Sequence, residues 1–507
     1  MIDHENGLPV GWNMTLISCV AQVDLGKTPK KVQYCDLSGY KIIKFRDVSY
    51  NGINWNKGDK GYIKSDTSIK DLKTLKLNDV LITASAHASE HIGKKVAFVS
   101  RIPNDFEEVF FVGELLSIRA NSEILLPKFA FYYFLSNEGY KAIQEKVKGV
   151  HLTTGEARKI EIPLAPLPEQ NRIVAEIEKQ FSRLDEAVAG LKRIQVNLKR
   201  YRASVLKSAV EGKLTAEWRK QHPDTEPAEQ LLQRILKERR EHWEQAELEK
   251  MQAAGKQPKD ELWKHKYKEP EKPDVSDLPE MPEGWVWARL DTIASLKGGI
   301  TVDKNKVSPD FIKAPYLRVA NVQRGYLDLT EIKEILAPKQ KIDQLLLKRN
   351  DILFNEGGDI DKLGRGWIWE DQLSNCIHQN HVFRARLLLL NVEAKLVSWW
   401  GNTFGRDYFL REGKQTTNLA SINLTKLSCF PVPLPSQQEQ NQIVSEVERR
   451  LSIADEVEQQ INTNLKRAER LRQAILKKAF SGKLVPQDPD DEPAGVLLEK
   501  IKQGQRA

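Results

Sequence analysis

The chain has 507 residues, of which 40% are hydrophobic and 29% charged, a composition typical of a folded protein with several domains. Lys and Arg (78) outnumber Asp and Glu (70), which gives a net charge of +8. This excess permits a polyanionic partner but does not require one, because the field depends on where the charges lie. No apolar run approaches the roughly 18 residues of a membrane span, so we expect no membrane association.

The N-terminus and the cysteines point to one compartment. The N-terminal residues MIDHENGLPVGW contain no basic stretch followed by an apolar one, so no signal peptide is expected. Cys19, Cys35, Cys376 and Cys429 form no Cys-x-x-Cys pair, which argues against a disulfide framework or a structural zinc site. We therefore expect a cytoplasmic protein.

The chain contains an internal duplication. Residues 166–215 and 433–485 share the runs Glu-Gln-Asn, Ile-Val, Asp-Glu, Leu-Lys and Gly-Lys-Leu. Glu169 aligns with Glu439 at an offset of 270 residues, which holds to the end of both segments. Such a register predicts two copies of one architecture.

Each copy is predicted to contain a variable block, a long helix and a short amphipathic segment. The variable blocks share an Asn-Asp-hydrophobic landmark, at 78–81 and 350–353. We predict the following organisation: residues 1–160, first variable block; 161–215, first helical spacer; 216–280, charged helical linker; 281–428, second variable block; 429–485, second helical spacer; 486–507, amphipathic tail.

The helical spacers are predicted from a seven-residue apolar period. The repeating positions are Ile177, Leu184, Leu191, Leu198 and Val205 in the first copy and Val447, Ala454, Ile461, Ala468 and Ile475 in the second. Pro168 and Pro435 lie just before the predicted starts, and Gly212 and Gly482 are expected to end the helices.

A helix of about 40 residues is about 60 Å long and cannot bury its apolar stripe on itself. We therefore predict that the two helices pair antiparallel as a coiled coil, with the variable blocks at opposite ends in a pseudo-two-fold arrangement. Pairing with a second molecule in a homodimer is the alternative.

The variable blocks are predicted to be α/β, so that the whole chain is α+β. Predicted strands are 41–48, 80–83, 96–100 and 109–118 in the first block, and 315–322, 351–354, 366–369 and 382–390 in the second. A helix is expected from Pro127 through an aromatic run that we interpret as a buried face. Residues 399–400, both Trp, are placed on its counterpart, and 228–251 on a helix of the linker.

Several catalytic patterns fail on inspection. Residues 21–28 resemble a phosphate-binding loop, but proline follows the last of them where a helix must begin. His87 and His91 match a zinc-protease spacing but lie in a short connection between strands. The histidine pattern does not recur in the other copy, nor does the loose nuclease pattern of Asp310, Glu331 and Lys333. We expect no catalysis and no metal site.

The duplicated segments identify a family. The Pro-Leu-Pro-Glu-Gln-Asn-Arg-Ile-Val run that leads into a helix ending in Glu-Gly-Lys-Leu-Thr, and its second copy ending in Ser-Gly-Lys-Leu-Val, resemble the conserved regions of the specificity subunit of type I restriction–modification enzymes. The resemblance covers essentially the whole chain.

The resemblance implies a non-catalytic role. Each variable block would be a target recognition domain reading one half of a bipartite double-stranded DNA site, with the helices setting the gap. The helices would dock two methyltransferase subunits, and two restriction/translocase subunits would complete the assembly. S-adenosylmethionine, ATP and Mg would bind to those partners, and no cofactor to this chain.

The residues expected to contact DNA lie in loops and at strand ends, where Arg suits guanine and Asn or Gln suits adenine. In the first block they are Lys44, Arg46, Thr83, Ser85, His87, Lys94 and Lys95; in the second they are Arg318, Asn321, Gln323, Arg324, Asn355, Lys362 and Arg365. The paired Gly93-Lys94 and Gly364-Arg365 are expected where a loop approaches DNA closely. Residues 149–154 and 414–421 are weaker candidates for phosphate contact.

Two other readings compete with DNA recognition. A structural coiled-coil protein with protein-binding heads would form a stable homodimer without base preference. A self-contained nuclease or NTPase would turn over metal-dependent or ATP-dependent substrate alone.

Overall fold

The computed structural model describes residues 8–36, 39–50, 52–56, 61–258, 260–301, 308–389, 392–415 and 419–504. The chain forms two compact units: unit 1 comprises Met1–Ile194 and Gln460–Ala507, and unit 2 comprises Gln195–Gln459. Both boundaries fall within the long helices, so each unit contains part of each helix.

The α-helices follow the chain in this order: α1 Ile17–Val20, α2 Pro127–Leu135, α3 Asn137–Gln144, α4 Thr154–Ala157, α5 Leu167–Val210, α6 Ala216–Gln221, α7 Ala228–Ala253, α8 Leu290–Ile293, α9 Lys339–Leu345, α10 Ala394–Asn402, α11 Gly405–Glu412, α12 Leu424–Ser428, α13 Gln437–Phe480 and α14 Ala494–Gly504. Among the described residues no helix is long and apolar enough to cross a membrane.

The strands of unit 1 are β1 Asn13–Leu16, β2 Ala21–Leu25, β3 Tyr34–Cys35, β4 Tyr40–Ile43, β5 Val48–Ser49, β6 Gly52–Ile53, β7 Tyr62–Ile63, β8 Val80–Thr83, β9 Val96–Phe98, β10 Val109–Phe111, β11 Leu115–Ala120 and β12 Glu161–Leu164. They form sheets in the orders β2-β11-β8-β9 and β10-β4-β7-β3, together with the pairs β1-β12 and β5-β6.

The strands of unit 2 are β13 Val286–Arg289, β14 Ala294–Lys297, β15 Phe311–Leu317, β16 Val322–Gln323, β17 Tyr326–Leu327, β18 Lys333–Pro338, β19 Ile352–Asn355, β20 Gly357–Asp359, β21 Gly366–Ile368, β22 Ile377–His378, β23 Val382–Leu387, β24 Lys414–Gln415, β25 Leu419–Ser421 and β26 Pro431–Leu434. The order β14-β23-β19-β21 repeats the order β2-β11-β8-β9 of unit 1.

The Asn-Asp landmark is a structural device common to both units. Asn78 and Asn350 have positive φ angles of 69° and 68°, a left-handed conformation that asparagine tolerates. The aspartates that follow them are buried ion-pair partners: Asp79 binds Arg119 at 2.8 Å. Its counterpart in unit 2 binds an arginine at 2.6 Å. The landmark therefore anchors the central sheet.

The predicted α+β architecture, with two α/β domains and two long helices, is confirmed, whereas several strand limits are wrong. The strand expected over 41–48 ends at Ile43, because Asp47 Oδ2 accepts a hydrogen bond from the Lys44 N–H at 2.9 Å and closes a 3₁₀ turn. The strand expected over 109–118 is interrupted after Phe111 by a turn in which the Leu115 N–H bonds to Val112 O at 3.0 Å.

Both long helices contain 44 residues. Pro168 lies inside the first turn of α5 rather than before it, a position where proline loses no helical hydrogen bond. Gly212 and Gly482 have φ angles of +66° and +65°, which end the helices in the left-handed conformation.

Within each unit the two helices run antiparallel. In unit 1, Asp185 on α5 pairs with Arg472 on α13. In unit 2, Arg202 on α5 binds Asp455 and Glu458 on α13, both at 2.6 Å. Further along the chain from Arg202, Thr215 Oγ1 donates to Glu439 Oε1, near the start of α13, at 2.7 Å. Within unit 2, contacts that lie later in α5 and just after it therefore reach earlier positions of α13, as in an antiparallel pair.

The aromatic run of α2 is buried, as the sequence predicted. Phe129 packs against Phe480 of α13 with ring centroids 5.1 Å apart, and Tyr133 packs against the same ring at 5.3 Å. In unit 2, Trp400 on α10 donates its indole N–H to Pro431 O at 2.7 Å. Each sheet is thus fixed to a helix that contacts the long helices of its own unit.

Candidate DNA interface

The loop after β8 in unit 1 contains both buried and exposed predicted contacts. Thr83 is fully buried, and its Oγ1 donates to the backbone oxygen of Lys95 at 3.3 Å. His87 and Lys94 are exposed. Thr83 therefore holds the two ends of the loop together, while His87 and Lys94 face solvent.

A short antiparallel pairing places this loop beside the segment before the long helix. Ser85 forms a bridge with His151, and Ser85 Oγ lies 2.9 Å from His151 Nδ1. In unit 2, Gly357 pairs with Ser421 at the equivalent place. In unit 1 the structure thus brings Ser85 beside the segment 149–154, which is a weaker sequence candidate for phosphate contact. In unit 2 it brings the loop after β19 beside Ser421 of the weaker candidate segment 414–421, of which residues 416–418 lie outside the described part.

The basic residues of the first block gather around Phe45. Lys95 Nζ donates to Phe45 O at 3.0 Å and lies 3.9 Å from the centre of its ring. Lys44 Nζ lies 4.5 Å from the ring of Tyr34, and Arg46 is exposed. They border an open cleft of about 410 Å³. Its lining is Thr28, Tyr34, Lys44, Phe45, Arg46, Val112 and Glu114.

The paired glycines approach the protein's own helices. Gly93 has a φ of +78°, and a Cβ there would lie 2.9 Å from Ile143 on α3. Gly364 has a φ of +64°, and a Cβ there would clash with the ring of Phe409 on α11. The close approach that these glycines permit is between loop and helix.

Two predicted asparagines in unit 2 are buried and bond to backbone groups. Asn321 Oδ1 accepts from the Arg318 N–H at 2.9 Å, and its Nδ2 donates to Asp328 O at 2.8 Å. Asn355 Nδ2 donates to Val322 O at 2.9 Å. These side chains fix the turn and present no surface to a ligand.

Three guanidinium groups converge beside that turn. Arg365 Nη1 donates to Gln323 Oε1 at 2.7 Å, and its Nη2 pairs with Asp361. Burial, and then the charges of Arg365 and Arg406, lower the pKa of Arg324. The cleft has a volume of about 320 Å³. It is lined by Gln323, Arg324, Tyr326, Asp361, Arg365 and Arg406. One carboxylate among three arginines favours an anionic ligand.

The remaining predicted cations of unit 2 are half-buried and paired. Arg318 Nη2 donates to Glu331 O at 3.1 Å, and Lys362 pairs with Asp359. The sequence did not single out Arg406, Tyr34 or Glu114. Arg406 follows Gly405 at the start of α11, one of several charged residues of that helix, and no sequence pattern distinguishes it.

The predicted helix-pairing positions are buried or half-buried. Exposed fractions in α13 are 0% for Val447, 1% for Ala454, 4% for Ile461, 8% for Ala468 and 5% for Ile475. In α5, Ile177 and Val205 are buried, and Leu184, Leu191 and Leu198 are half-buried. Other apolar residues of the helices stay exposed, such as Ile453 at 49% and Val457 at 37%.

Fold and clefts together define a class: a duplicated α+β protein whose two modules share one backbone frame, present different polar clefts and are joined by a coiled coil. Residues 9–196 and 282–467 match the type I restriction modification DNA specificity domain. The chain belongs to this family, and is a non-catalytic specificity subunit of a type I restriction–modification system.

Similar proteins cover most of the chain. The EcoKI specificity subunit of Escherichia coli K12 is 24% identical over 98% of this chain and 96% of its own length. The EcoDI specificity subunit of Escherichia coli is 28% identical over 75% of this chain and 77% of its own. A solved chain from a study of type I restriction–modification complex assembly matches with a TM-score of 0.58 and 17% identity, over 94% of this chain and 99% of that one. This last likeness concerns the fold.

Proposed function

We propose that each unit reads one half of a bipartite DNA target and that the helices set the gap between the halves. The observation that carries this proposal is that the two units share one strand order in their central sheets but present different polar side chains from it. Lys94 follows Gly93 in unit 1 where Arg365 follows Gly364 in unit 2. Because the frame is shared and the groups that it presents differ, the two modules would read different sequences.

Burial divides the candidate DNA contacts into two groups. Thr83, Asn321 and Asn355 hold the loops in place, since their side chains are buried. The half-buried and exposed residues would contact DNA. These are Lys44, Arg46, Ser85, His87, Lys94 and Lys95 in unit 1 and Arg318, Gln323, Arg324, Lys362, Arg365 and Arg406 in unit 2.

The helices would dock two methyltransferase subunits, and two restriction subunits would complete the assembly in the cytoplasm. Support comes from apolar side chains that the helix pair leaves exposed, including Ile194 (48%) and Leu471 (48%) in unit 1 and Ile453 (49%) in unit 2. S-adenosylmethionine, ATP and Mg would be bound by those partners. We keep the predicted division of the chain into functional segments, namely 1–160, 161–215, 216–280, 281–428, 429–485 and 486–507.

Mapping DNA methylation tests this function. The chain is co-expressed with its neighbouring methyltransferase in a host lacking adenine methylation, and methylated sites are mapped genome-wide. A split motif with a fixed gap is expected. R365A should relax or abolish one half of it, K94A should affect the other half, and K313S, at an exposed ion pair outside the cleft, should change neither.

A soluble complex with an active methyltransferase that leaves genomic adenines unmethylated would contradict the proposal. A homodimer of the isolated chain without base preference would favour the structural coiled-coil reading. Metal-dependent or ATP-dependent turnover by the pure chain would favour the third reading.

A further inference from the structure

Unit 2 carries a cationic pair on its central sheet where unit 1 carries none. Lys297 on β14 lies directly opposite Arg384 on β23. In unit 1 the same register places Asp24 opposite Ser117. The strand pairing is the same in both units, but each of the two positions carries a more positive side chain in unit 2.

A third position changes with them. His378 on β22 pairs in parallel with Leu317 on β15, as Phe111 pairs with Ile43 in unit 1. His378 is fully buried. Its Nδ1 bonds to a backbone carbonyl, Val382 O, at 2.6 Å, so Nδ1 is the protonated nitrogen and Nε2 points away from that bond. Phenylalanine would fill this space without polar groups, whereas histidine adds a second polar atom.

The neighbouring carboxylate is already engaged. Arg386, on the same face of β23, binds Asp351 at 2.6 Å, as its counterpart does in unit 1. Arg386 Nη2 and Arg384 Nη1 both donate to Leu346 O, at 2.9 and 3.3 Å, so the two guanidinium groups converge on one carbonyl. That oxygen offers only a partial negative charge to two arginines.

Buried polar atoms remain without partners. Arg384 is 5% exposed and its Nε has no hydrogen-bond partner among the described residues; the same holds for His378 Nε2. Lys297 Nζ donates to Gln344 O at 3.2 Å. Arg384 Nε is an unpaired buried donor, and His378 Nε2 becomes a second donor once it takes up a proton. Since unpaired buried polar atoms and like charges are costly, an anion bound here would stabilise the cluster.

We propose that Lys297, His378, Arg384 and Arg386 form a binding site for a phosphate-class oxyanion. Arg384 and His378 would form its buried floor, and Lys297 and Arg386 its half-exposed rim. A tetrahedral oxyanion accepts hydrogen bonds in several directions, which matches donors arriving from three strands. The occupant is either free phosphate or one phosphodiester of DNA, and the second source rests on the proposed function.

Proton uptake accompanies binding. Burial and the charges of Arg384, Lys297 and Arg386 lower the pKa of His378 to about 4. A bound anion would offset those charges and raise this pKa. Phosphate should therefore shift the titration of His378, observed by the NMR signals of its ring protons, toward neutral pH.

Thermal unfolding of the full chain in phosphate, compared with chloride at equal ionic strength, tests the site. Phosphate at saturating concentration is expected to raise the unfolding midpoint of unit 2 by about 2 °C. R384S introduces the residue of unit 1; it should be at least as stable as wild type in chloride and should lose the phosphate response. K313S removes one positive charge elsewhere in the unit and should keep the response.

An equal midpoint of wild type in both salts would overturn the proposal. So would an R384S chain that is less stable in chloride yet still responds to phosphate, because that result indicates a structural arginine. H378F provides a second variant, which should fold and lose the phosphate-dependent proton uptake.

DNA binding by the complex with methyltransferase distinguishes the two sources. If a phosphodiester occupies the site, R384S should lower the slope of log affinity against log salt by about one. An unchanged slope together with a retained phosphate response assigns the site to free phosphate. A complex that binds no DNA would contradict the proposed function and leave the phosphate result standing.

Discussion

Trp285 donates its indole N–H to Glu439 Oε2 at 2.9 Å, which fixes the segment before β13 to the first turn of α13. Trp12 makes the same bond to Glu169 at 3.0 Å in unit 1. The other carboxylate oxygens differ. Glu439 Oε1 accepts from Thr215 at 2.7 Å, whereas Glu169 Oε1 is buried without a hydrogen-bond partner among the described residues.

This difference predicts opposite effects of one substitution. Burial raises the pKa of the Glu169 carboxyl, and the Trp12 bond lowers it in part. Because the pKa of Glu169 is higher in the folded than in the unfolded chain, its protonation stabilises the fold below the ordinary pKa of 4.5. This stabilisation is lost as pH rises through the folded-state pKa. E169Q should therefore stabilise unit 1 by about 1 kcal/mol at pH 7.

The matched variant is E439Q. Glu439 also pairs with Arg219 at 3.2 Å, so loss of its charge should destabilise unit 2 by about 2 kcal/mol. Urea unfolding of both variants between pH 4 and pH 8 measures the two effects. An E169Q chain that is less stable than wild type at pH 7 would show that the orphan oxygen carries no penalty.

Asn350 has a φ angle of 68° before the buried Asp351. N350A should destabilise the protein by about 1 kcal/mol, because alanine pays the full cost of the left-handed conformation, while N350G should be close to neutral. Asn78, with a φ of 69°, offers the same comparison in unit 1. Equal losses for alanine and glycine, measured by denaturant unfolding, would point to the amide group instead of the backbone.

His378 should make unit 2 sensitive to acid. Its pKa is lowered from 6.5 to about 4, mainly by burial, so its contribution to stability is present above pH 6.5 and is lost as pH falls toward 4. The loss should amount to about 3 kcal/mol in the absence of phosphate. H378F should flatten this part of the stability profile, and a wild-type profile without a slope between pH 6.5 and pH 4 would contradict the assignment.

Exposed apolar residues on α13 should govern association with methyltransferase. Ile453 and Val457 are 49% and 37% exposed and lie one helical turn apart. The double variant I453E/V457E should keep the thermal midpoint of the isolated chain and lose co-purification with methyltransferase. S452E adds a charge at a neighbouring exposed position and should co-purify normally. Co-purification of the double variant would place docking elsewhere.

The sequence predicts those parts of the fold that repeat or follow a period. The long helices end at Val210 and Phe480, two residues before the left-handed Gly212 and Gly482 that were expected to terminate them, and the strand predicted over 80–83 is β8. Hydrogen bonds of single side chains cannot be predicted from such patterns. No sequence period indicates that Asp47 accepts from the Lys44 N–H and closes a turn after Ile43.

The candidate contacts show a similar limit. An asparagine that reads adenine and one that fixes a backbone turn use the same amide chemistry, so Asn321 and Asn355 could not be told apart from DNA contacts by residue type. Both are buried in the structure, and on that ground we propose that they fix the turn. Arg406 was missed because it joins the cleft through the packing of α11, which links segments far apart in the chain.

The discontinuity of unit 1 bears on biosynthesis. Unit 2 is one continuous stretch of chain, whereas unit 1 also needs Gln460–Ala507, which are synthesised after unit 2. Phe480, which fills the core beside Phe129 and Tyr133, belongs to that later segment. During translation unit 1 is thus begun before unit 2 and completed after it, and its apolar surface stays exposed until the later segment has been made. Early termination would spare the second module and leave the first one open to aggregation and proteolysis.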